Sequence, residues 1–374
     1  MVMDCQTWPE PVIRVQALAE SGLTTIPECF IKPLSQRPTS LNNNNTSPNS
    51  PQQHQNNDLN IPTIDLGRLS GCPADREDTL RRMAEACQEW GFFQVVNHGV
   101  RPELMRSARA VWREFFHQAP EAKEAFANSP ATYEGYGSRL GVKKGAILDW
   151  SDYFFLHYMP ASLRKQAKWP NVPQSLREVI DEYGSEVVKL GGRLLKIMST
   201  NLGLKEDYLM NAFGGEDEVG GCLRVNFYPK CPQPDLTLGI SPHSDPGGMT
   251  ILLPDDHVSG LQVLKANEWV TVKPLPNAFI INIGDQIQIM SNEIYKSVEH
   301  KVVVNSNNDR VSLAFFYNPK GNLVIEPAEE LVTEEMPALY PPMTFDQYRL
   351  FIRTKGLCGK AQVQSMTSPK NSYN

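Results

Sequence analysis

Hydrophobic positions change their period twice along this chain. Val12, Val15, Leu18 and Ala19 recur at helical spacing, and Ser21-Gly22 reads as the stop of a short amphipathic helix. From Thr39 to Asn60 the apolar residues almost vanish into Asn, Gln, Ser, Pro and Thr. Such a run buries too little to offset its ordering entropy and reads as a disordered linker. Ile61-Pro-Thr-Ile-Asp-Leu resumes as a short strand. Leu80, Met83, Ala84 and Cys87 then mark a helix ended by Gly91, and Gly91 to Gly99 reads as a strand and turn. Leu104, Ala108, Val111, Trp112, Phe115 and Phe116 form the stripe of another helix. The aromatic run Asp149 to His157 reads as a strand near a pocket mouth. Ser175-Leu-Arg-Glu178 has the form of a capping box, opening a long helix to about Asn201 with Val179, Ile180, Tyr183, Val187 and Leu194 on its apolar face.

From Cys222 the period drops to two. Runs such as Leu-Arg-Val-Asn-Phe-Tyr, Phe-Ile-Ile-Asn-Ile and Val-Ser-Leu-Ala-Phe-Phe-Tyr are short and separated by Pro, Gly, Asn and Asp. Helices precede these strands instead of alternating with them, so the fold class expected is α+β, with no parallel doubly wound sheet. The strands suggest a double-stranded β-helix, or jelly roll, of two packed sheets backed by helices. The chain divides into five segments: an extension packed on the body (1–38), the linker (39–60), a helical region (61–215), the jelly-roll core (216–325), and a C-terminal helix over the pocket with a flexible tail (326–374). Thr344 and Gln347 form a second capping box, and Gly356 closes that last helix.

Composition narrows the partners. At 374 residues, 41% hydrophobic and 21% charged, the chain has ample material for a buried core. A net charge of −6 speaks against nucleic acid and anionic membrane surfaces, so an anionic substrate must be attracted by local arginines. The seven cysteines are odd in number and scattered, which fits reduced thiols. No run approaches the ~18 apolar residues of a membrane span. The cytoplasm is the compartment expected, with the nucleus as a second, and the chain is expected to act as a monomer.

The candidate chemistry lies between His243 and Ser312. On an extended strand His243 and Asp245 share a face. With His300 they supply the two imidazoles and one carboxylate of the facial triad that holds non-haem Fe(II) and leaves positions open. A lone His-x-Asp is ordinary surface polarity; the distant His300, with Arg310-Val-Ser312 beyond it, makes the pattern specific. Zinc is the rival metal, but the chain has no His-Glu-x-x-His and no Cys-x-x-Cys. Arg310 and Ser312, again two apart, form a clamp for a carboxylate. A metal triad beside an anion clamp is what binding 2-oxoglutarate requires.

Strand periodicity adds more. Arg224, Asn226 and Tyr228 share one face, as do Arg310, Ser312, Ala314 and Phe316. Arg224 is surplus to 2-oxoglutarate binding, and a buried surplus arginine wants an anion. Phe345, Arg349 and Arg353 recur every fourth residue on the last helix. Arg224 and Arg349, with Arg353 grouped beside them and Phe155, Phe316 and Phe345 as an apolar wall, would suit an amphipathic carboxylic acid. The bland alternatives are a core position for Phe155, a surface ion pair for Arg349 and a helix-dipole role for Arg353. His98 reads as a hydrogen-bonded turn residue. The glycines from Gly135 to Gly141 are spaced wrongly for a dinucleotide loop.

From about Ile61 to Gly356 these motifs resemble the plant soluble 2-oxoglutarate/Fe(II)-dependent dioxygenases. That resemblance implies that Asn226 and Tyr228 contact 2-oxoglutarate, that dioxygen is the oxidant, and that ascorbate supports activity. Trp8-Pro-Glu-Pro-Val-Ile-Arg-Val-Gln, Thr132-Tyr-Glu-Gly-Tyr-Gly-Ser-Arg-Leu-Gly and Phe345-Asp-Gln-Tyr-Arg-Leu-Phe-Ile-Arg are similar to the jasmonate-induced oxygenases. The resemblance implies hydroxylation of jasmonic acid to 12-hydroxyjasmonate, which lowers the hormone and damps defence, with Arg224 and Arg349 on the jasmonate carboxylate. The insert at 39–60 departs from that family but lies outside the catalytic body. A flavonoid dioxygenase of flavonol or anthocyanidin synthase type shares the same iron motifs, although paired arginines suit phenolic substrates less well. A non-catalytic small-molecule binder is the alternative from another class, and it has no need of an open metal position.

Overall fold

The structure is a computed structural model describing residues 7–38, 59–355 and 359–367. The linker expected at 39–60 falls outside the described residues except for its last two positions, as does the tail beyond 367. In chain order the elements that matter are α1 (Val15–Glu20), β1 (Thr63–Asp65), α2 (Pro73–Glu89), β2 (Phe92–Val96), α3 (Pro102–Phe116), β3 (Gly135–Gly137), β4 (Asp152–Met159) and α4 (Leu176–Asn201). Then come β5 (Gly220–Tyr228), β6 (Ile240–His243), β7 (Met249–Leu253), β8 (Leu261–Lys265), β9 (Glu268–Thr271) and β10 (Phe279–Ile283). The chain closes with α5 (Asp285–Met290), β11 (His300–Val302), β12 (Arg310–Asn318) and α6 (Phe345–Lys355).

The strands form one eight-stranded sheet, ordered β1-β2-β10-β7-β12-β5-β4-β3, and one four-stranded sheet, ordered β6-β11-β8-β9. Pairing within both is antiparallel except for β1 with β2. Two mainly antiparallel sheets with helices on one outer face make the α+β jelly roll expected from the pattern. Strand β12 shows why the sheets pack as they do. Val311, Leu313, Phe315 and Tyr317 join the core that also holds Val187, Leu190 and Leu194 of α4, while Arg310, Ser312, Ala314 and Phe316 line a cavity. Fully burying each such apolar side chain stabilises the fold by about 1.5–3 kcal/mol. Gly191 lets α4 lie this close: a Cβ there would sit 2.6 Å from the Tyr317 ring. A second cluster, including Phe92, Trp150, Val263 and Ile280, also buries Val15, Ile26 and Phe30 of the N-terminal segment.

Three local expectations are decided here. Thr344 and Gln347 do cap α6 reciprocally: Gln347 N–H donates to Thr344 Oγ1 at 3.3 Å, and Thr344 N–H donates to Gln347 Oε1 at 3.0 Å. The capping box at Ser175 does not form. Ser175 already has helical backbone angles, its side chain makes no cap bond, and the chain enters the helix through a turn in which the Leu176 N–H donates to Pro173 O. His98 is a turn residue, with Nε2 3.0 Å from Asn277 O and Nδ1 accepting from Val100 N–H. In the 135–141 stretch Gly137 is required by packing, since a Cβ would meet the Tyr153 ring at 2.6 Å.

Candidate active site

Register across the large sheet lays the cavity wall out in rows. Arg310 stands opposite Tyr228, and Ser312 opposite Asn226, which in turn stands opposite Tyr153. The next row runs Phe155, Arg224, Ala314, Leu252 and Ile280. The row beyond runs His157, Cys222, Phe316, Thr250, Asn282 and Phe92. Every one of these side chains lines a single cavity of about 290 Å³, closed on other sides by His243, Asp245, His300, Tyr133, Leu140, Phe345 and Arg349. A ladder of fixed pairs therefore sets the distance from the clamp to the aromatic wall.

His243, Asp245 and His300 each place a ligand atom within 4.8 Å of the others. Asp245 Oδ1 lies 3.5 Å from His243 Nε2 and 3.7 Å from His300 Nε2. His243 Nδ1 donates to Ser241 O at 2.9 Å and His300 Nδ1 to Val298 O at 3.2 Å, which turns both Nε2 atoms towards the Asp245 carboxylate. Asp245 Oδ2 accepts from Thr250 Oγ1 and Asn282 Nδ2, both at 2.5 Å. Burial works against the Asp245 charge, yet the two imidazoles and the Thr250 hydroxyl hold its carboxyl far below the usual range. His300 is pushed down to about 4, by burial and by its imidazole neighbour, while the Asp245 hydrogen bond keeps His243 above its ordinary value against the cost of burial. The expectation that His243 and Asp245 share a strand face is corrected here. Strand β6 ends at His243, so Asp245 lies in the turn beyond it. What aims it is the Asp285 N–H donating to Asp245 O at 2.8 Å, together with Thr250 and Asn282, instead of strand alternation.

The clamp carries its own signature. The Tyr228 hydroxyl and Arg310 Nη1 are buried with no hydrogen-bond partner among the described residues, although Ser312 and Arg310 both stand near that hydroxyl. Arg310 Nε is tied to Val258 O at 3.2 Å, and its guanidinium lies 5.0 Å over the Tyr228 ring. Unsatisfied buried donors of this kind are costly unless a ligand completes them. They fit the distal carboxylate of 2-oxoglutarate, and the two imidazoles with one carboxylate fit Fe(II).

Arg224 sits over the Tyr153 ring at 4.0 Å and donates from Nε to Asn226 Oδ1 at 2.7 Å. Burial lowers its pKa, and among the described residues it has no ion pair with a carboxylate. Arg349 lies at the cavity edge 5.1 Å over Phe345, and it also pairs with Asp346, so the surface-pair alternative is present alongside the cavity position. Phe155, Phe316 and Phe345 line the cavity. The side chain of Arg353 lies outside the described residues. Sequence reasoning passed over Thr250 and Asn282, although each is a polar residue in an otherwise apolar strand, which was the available signal. It also passed over Tyr153, Tyr133 and Leu140, which carry no such mark. Thr250→Val leaves Asp245 Oδ2 with one donor and should weaken Fe(II) binding about 10-fold, measured by anaerobic equilibrium dialysis.

A jelly roll with a triad at one side of its cavity and an uncompleted arginine clamp at the other belongs to the oxygenases that pair Fe(II) with 2-oxoglutarate. Residues 219–319 match the 2OG-Fe(II) oxygenase superfamily, and residues 61–174 match the N-terminal region described for the non-haem dioxygenase in morphine synthesis. The chain is 62% identical to Jasmonate-induced oxygenase 1 of Arabidopsis thaliana, covering 98% of this chain and 88% of that one. It is 62% identical to Jasmonate-induced oxygenase 2 of the same plant, covering 97% and 95%. The crystal structure of JOX2 in complex with 2OG, Fe and JA superposes with a TM-score of 0.88 at 61% identity, covering 97% of this chain and 100% of that chain. The chain belongs to the jasmonate-induced oxygenases of the 2OG-Fe(II) oxygenase superfamily, and it is a 2-oxoglutarate/Fe(II)-dependent dioxygenase.

Proposed function

We propose that this enzyme hydroxylates jasmonic acid to 12-hydroxyjasmonate, lowering the active hormone and damping defence signalling. The observation that carries the reading is Arg224, a half-buried guanidinium on the cavity wall that forms no ion pair with a carboxylate among the described residues. It stands one row beyond the Asn226–Ser312 pair, so it is spare once Arg310 and Tyr228 hold 2-oxoglutarate. A second anion is what it lacks, and Phe155, Phe316 and Phe345 give that anion an apolar body to accompany it. The relatives' names, and the JA in the JOX2 structure, support the same choice. A phenolic flavonoid would leave the Arg224 charge unpaired.

His243, Asp245 and His300 would hold Fe(II), and Arg310, Ser312, Tyr228 and Asn226 would hold 2-oxoglutarate. Bound together with dioxygen, they supply an oxidative decarboxylation coupled to insertion of oxygen into a C–H bond. The chain's own residues orient the substrate and exclude water: Arg224 and Arg349 fix one end by its carboxylate, and the aromatic wall directs the other end towards the triad. Arg349 would exchange part of its Asp346 pairing for the substrate. No described helix is long and apolar enough to cross a membrane. The cytoplasm, with the nucleus as a second compartment, is our assignment, supported by Cys29, Cys72, Cys87 and Cys231 being free thiols.

The test is mass spectrometry of protein incubated with Fe(II), ascorbate, 2-oxoglutarate and jasmonic acid, with a flavanone run in parallel. A jasmonate product heavier by one oxygen atom, formed only with 2-oxoglutarate, is expected. Flavanone turnover with jasmonate untouched would overturn the substrate. Arg224→Ala should lower kcat/KM for jasmonate about 30-fold or more, since a buried charge contact is worth about 2–5 kcal/mol. Uncoupled 2-oxoglutarate decay should change little; equal loss of both would remove Arg224 from the substrate site.

A further inference from the structure

The residues before 61 lie outside both matched family regions, yet they reach towards the metal ligands. Strand β6, which delivers His243, is only four residues long and is an edge strand of its sheet. On its outer side, among the described residues, it has no ladder, only an isolated bridge from His243 to Gly359. Side-chain ties must therefore supply the rigidity that a second neighbouring strand would give. Ser241, two residues before His243, provides one: its hydroxyl donates to Asp149 Oδ1 at 2.6 Å. The same oxygen takes the Lys32 ammonium at 2.8 Å. The Ser241 carbonyl is the acceptor for His243 Nδ1–H at 2.9 Å.

Lys32 is held in turn. Its side chain is 2% exposed, a rare burial for lysine. Its N–H donates to Leu236 O at 2.8 Å, and three residues earlier Cys29 O accepts from Leu148 N–H at 2.7 Å. The Ile26 N–H donates to the Gln233 side chain at 2.9 Å, and Phe30 packs edge-on to Trp150. The segment from Ile26 to Lys32 is thus stitched between the loop that carries Asp149 and the loop that leads into β6.

We propose that Lys32 is a positioning residue for the metal, acting through Asp149 and Ser241 to fix the orientation of His243. The inference rests on the reading of His243 as an iron ligand. Without the ammonium, Asp149, whose side chain is 20% exposed, turns to water and releases the Ser241 hydroxyl. The carbonyl that sets the His243 tautomer then loses its fixed plane, and the ligand becomes less pre-organised.

The experiment is anaerobic Fe(II) titration of the full chain with 2-oxoglutarate present, read by the visible charge-transfer absorption of the bound pair. Lys32→Met should raise the Fe(II) Kd about 10-fold, the scale of outer-shell partners. Activity should recover at excess Fe(II), with KM for jasmonate changed less than about twofold. Ser241→Ala breaks the same relay with a smaller change, so it decides the matter if Lys32→Met does not fold. Glu10→Gln is the control. It removes the charge from another N-terminal tie, the Glu10–Arg139 pair, which lies off the relay. An Fe(II) Kd unchanged in folded Lys32→Met, or unchanged in Ser241→Ala, overturns the proposal. So does an equal weakening in Glu10→Gln, which would make the effect general loosening. Failure of the parent chain to bind Fe(II) would take down the metal reading itself, and the relay with it.

Discussion

Asp245→Asn should abolish turnover while leaving a folded protein. The carboxylate is the only anion of the three ligands, and a neutral amide is a poor partner for Fe(II). Geometry adds to the loss. The side chains of Thr250 and Asn282 both donate to Asp245 Oδ2, so an amide settles with its oxygen on them and its NH2 towards the two imidazoles. That end cannot ligate. Metal-assisted chemistry contributes several kcal/mol, and 1.36 kcal/mol is tenfold, so product formation should fall by more than about a thousandfold. Succinate release and Fe(II) binding should vanish together. The shape of the site is kept, so circular dichroism and the melting transition of the metal-free protein should stay close to the parent. Retention of iron binding in this variant would show that His243 and His300 suffice, and would remove Asp245 from the triad.

Arg310→Ala should raise KM for 2-oxoglutarate about 100-fold, with kcat at saturating cosubstrate affected far less. Arg310 is 4% exposed and its Nη1 has no partner among the described residues, so its charge is held ready for an anion. Truncating one side of a buried, hydrogen-bonded charge pair costs about 2–5 kcal/mol. Arg310→Lys tests the geometry separately from the charge. Lysine keeps the cation but cannot donate to Val258 O from a fixed Nε while presenting a planar fork to the ligand. An intermediate KM, about 10-fold above the parent, is expected on the same scale. Steady-state succinate formation against 2-oxoglutarate concentration separates these outcomes, and an unchanged KM in Arg310→Ala would place the cosubstrate elsewhere.

These two residues also show how far the chain could be read before folding. Arg310, Ser312 and Phe316, like Arg224, Asn226 and Tyr228, share a face because a strand alternates its side chains with a period of two. That spacing comes from backbone sterics and needs no knowledge of neighbours. Hence the site's chemistry and the jelly-roll class could be read from local pattern. The same logic failed where a nearby turn competed. Ser175 carries a capping sequence, but the turn at Pro173 gives it helical backbone angles in place of the extended ones a capping side chain needs. It failed again at Asp245, which converges on the imidazoles from beyond the end of its strand.

Which residues stand opposite one another was not legible. That Arg310 faces Tyr228 and that Thr250 and Asn282 converge on one carboxylate oxygen depends on register between segments far apart in the chain. Register is set by the summed packing of both sheet faces and not by any one strand. Lys32 is the extreme case: in the sequence it is an unremarked basic residue before a polar linker, and only in the folded chain is its buried ammonium brought beside Asp149. The sequence by itself determined the faces of the strands, the ligand types and the carboxylate clamp, because these depend on short-range geometry and side-chain chemistry. Only the tertiary structure decided the rows of the cavity, the donors behind Asp245 and the reach of the N-terminal segment to His243, because a buried charge or donor is tolerable only where distant chain supplies its partner.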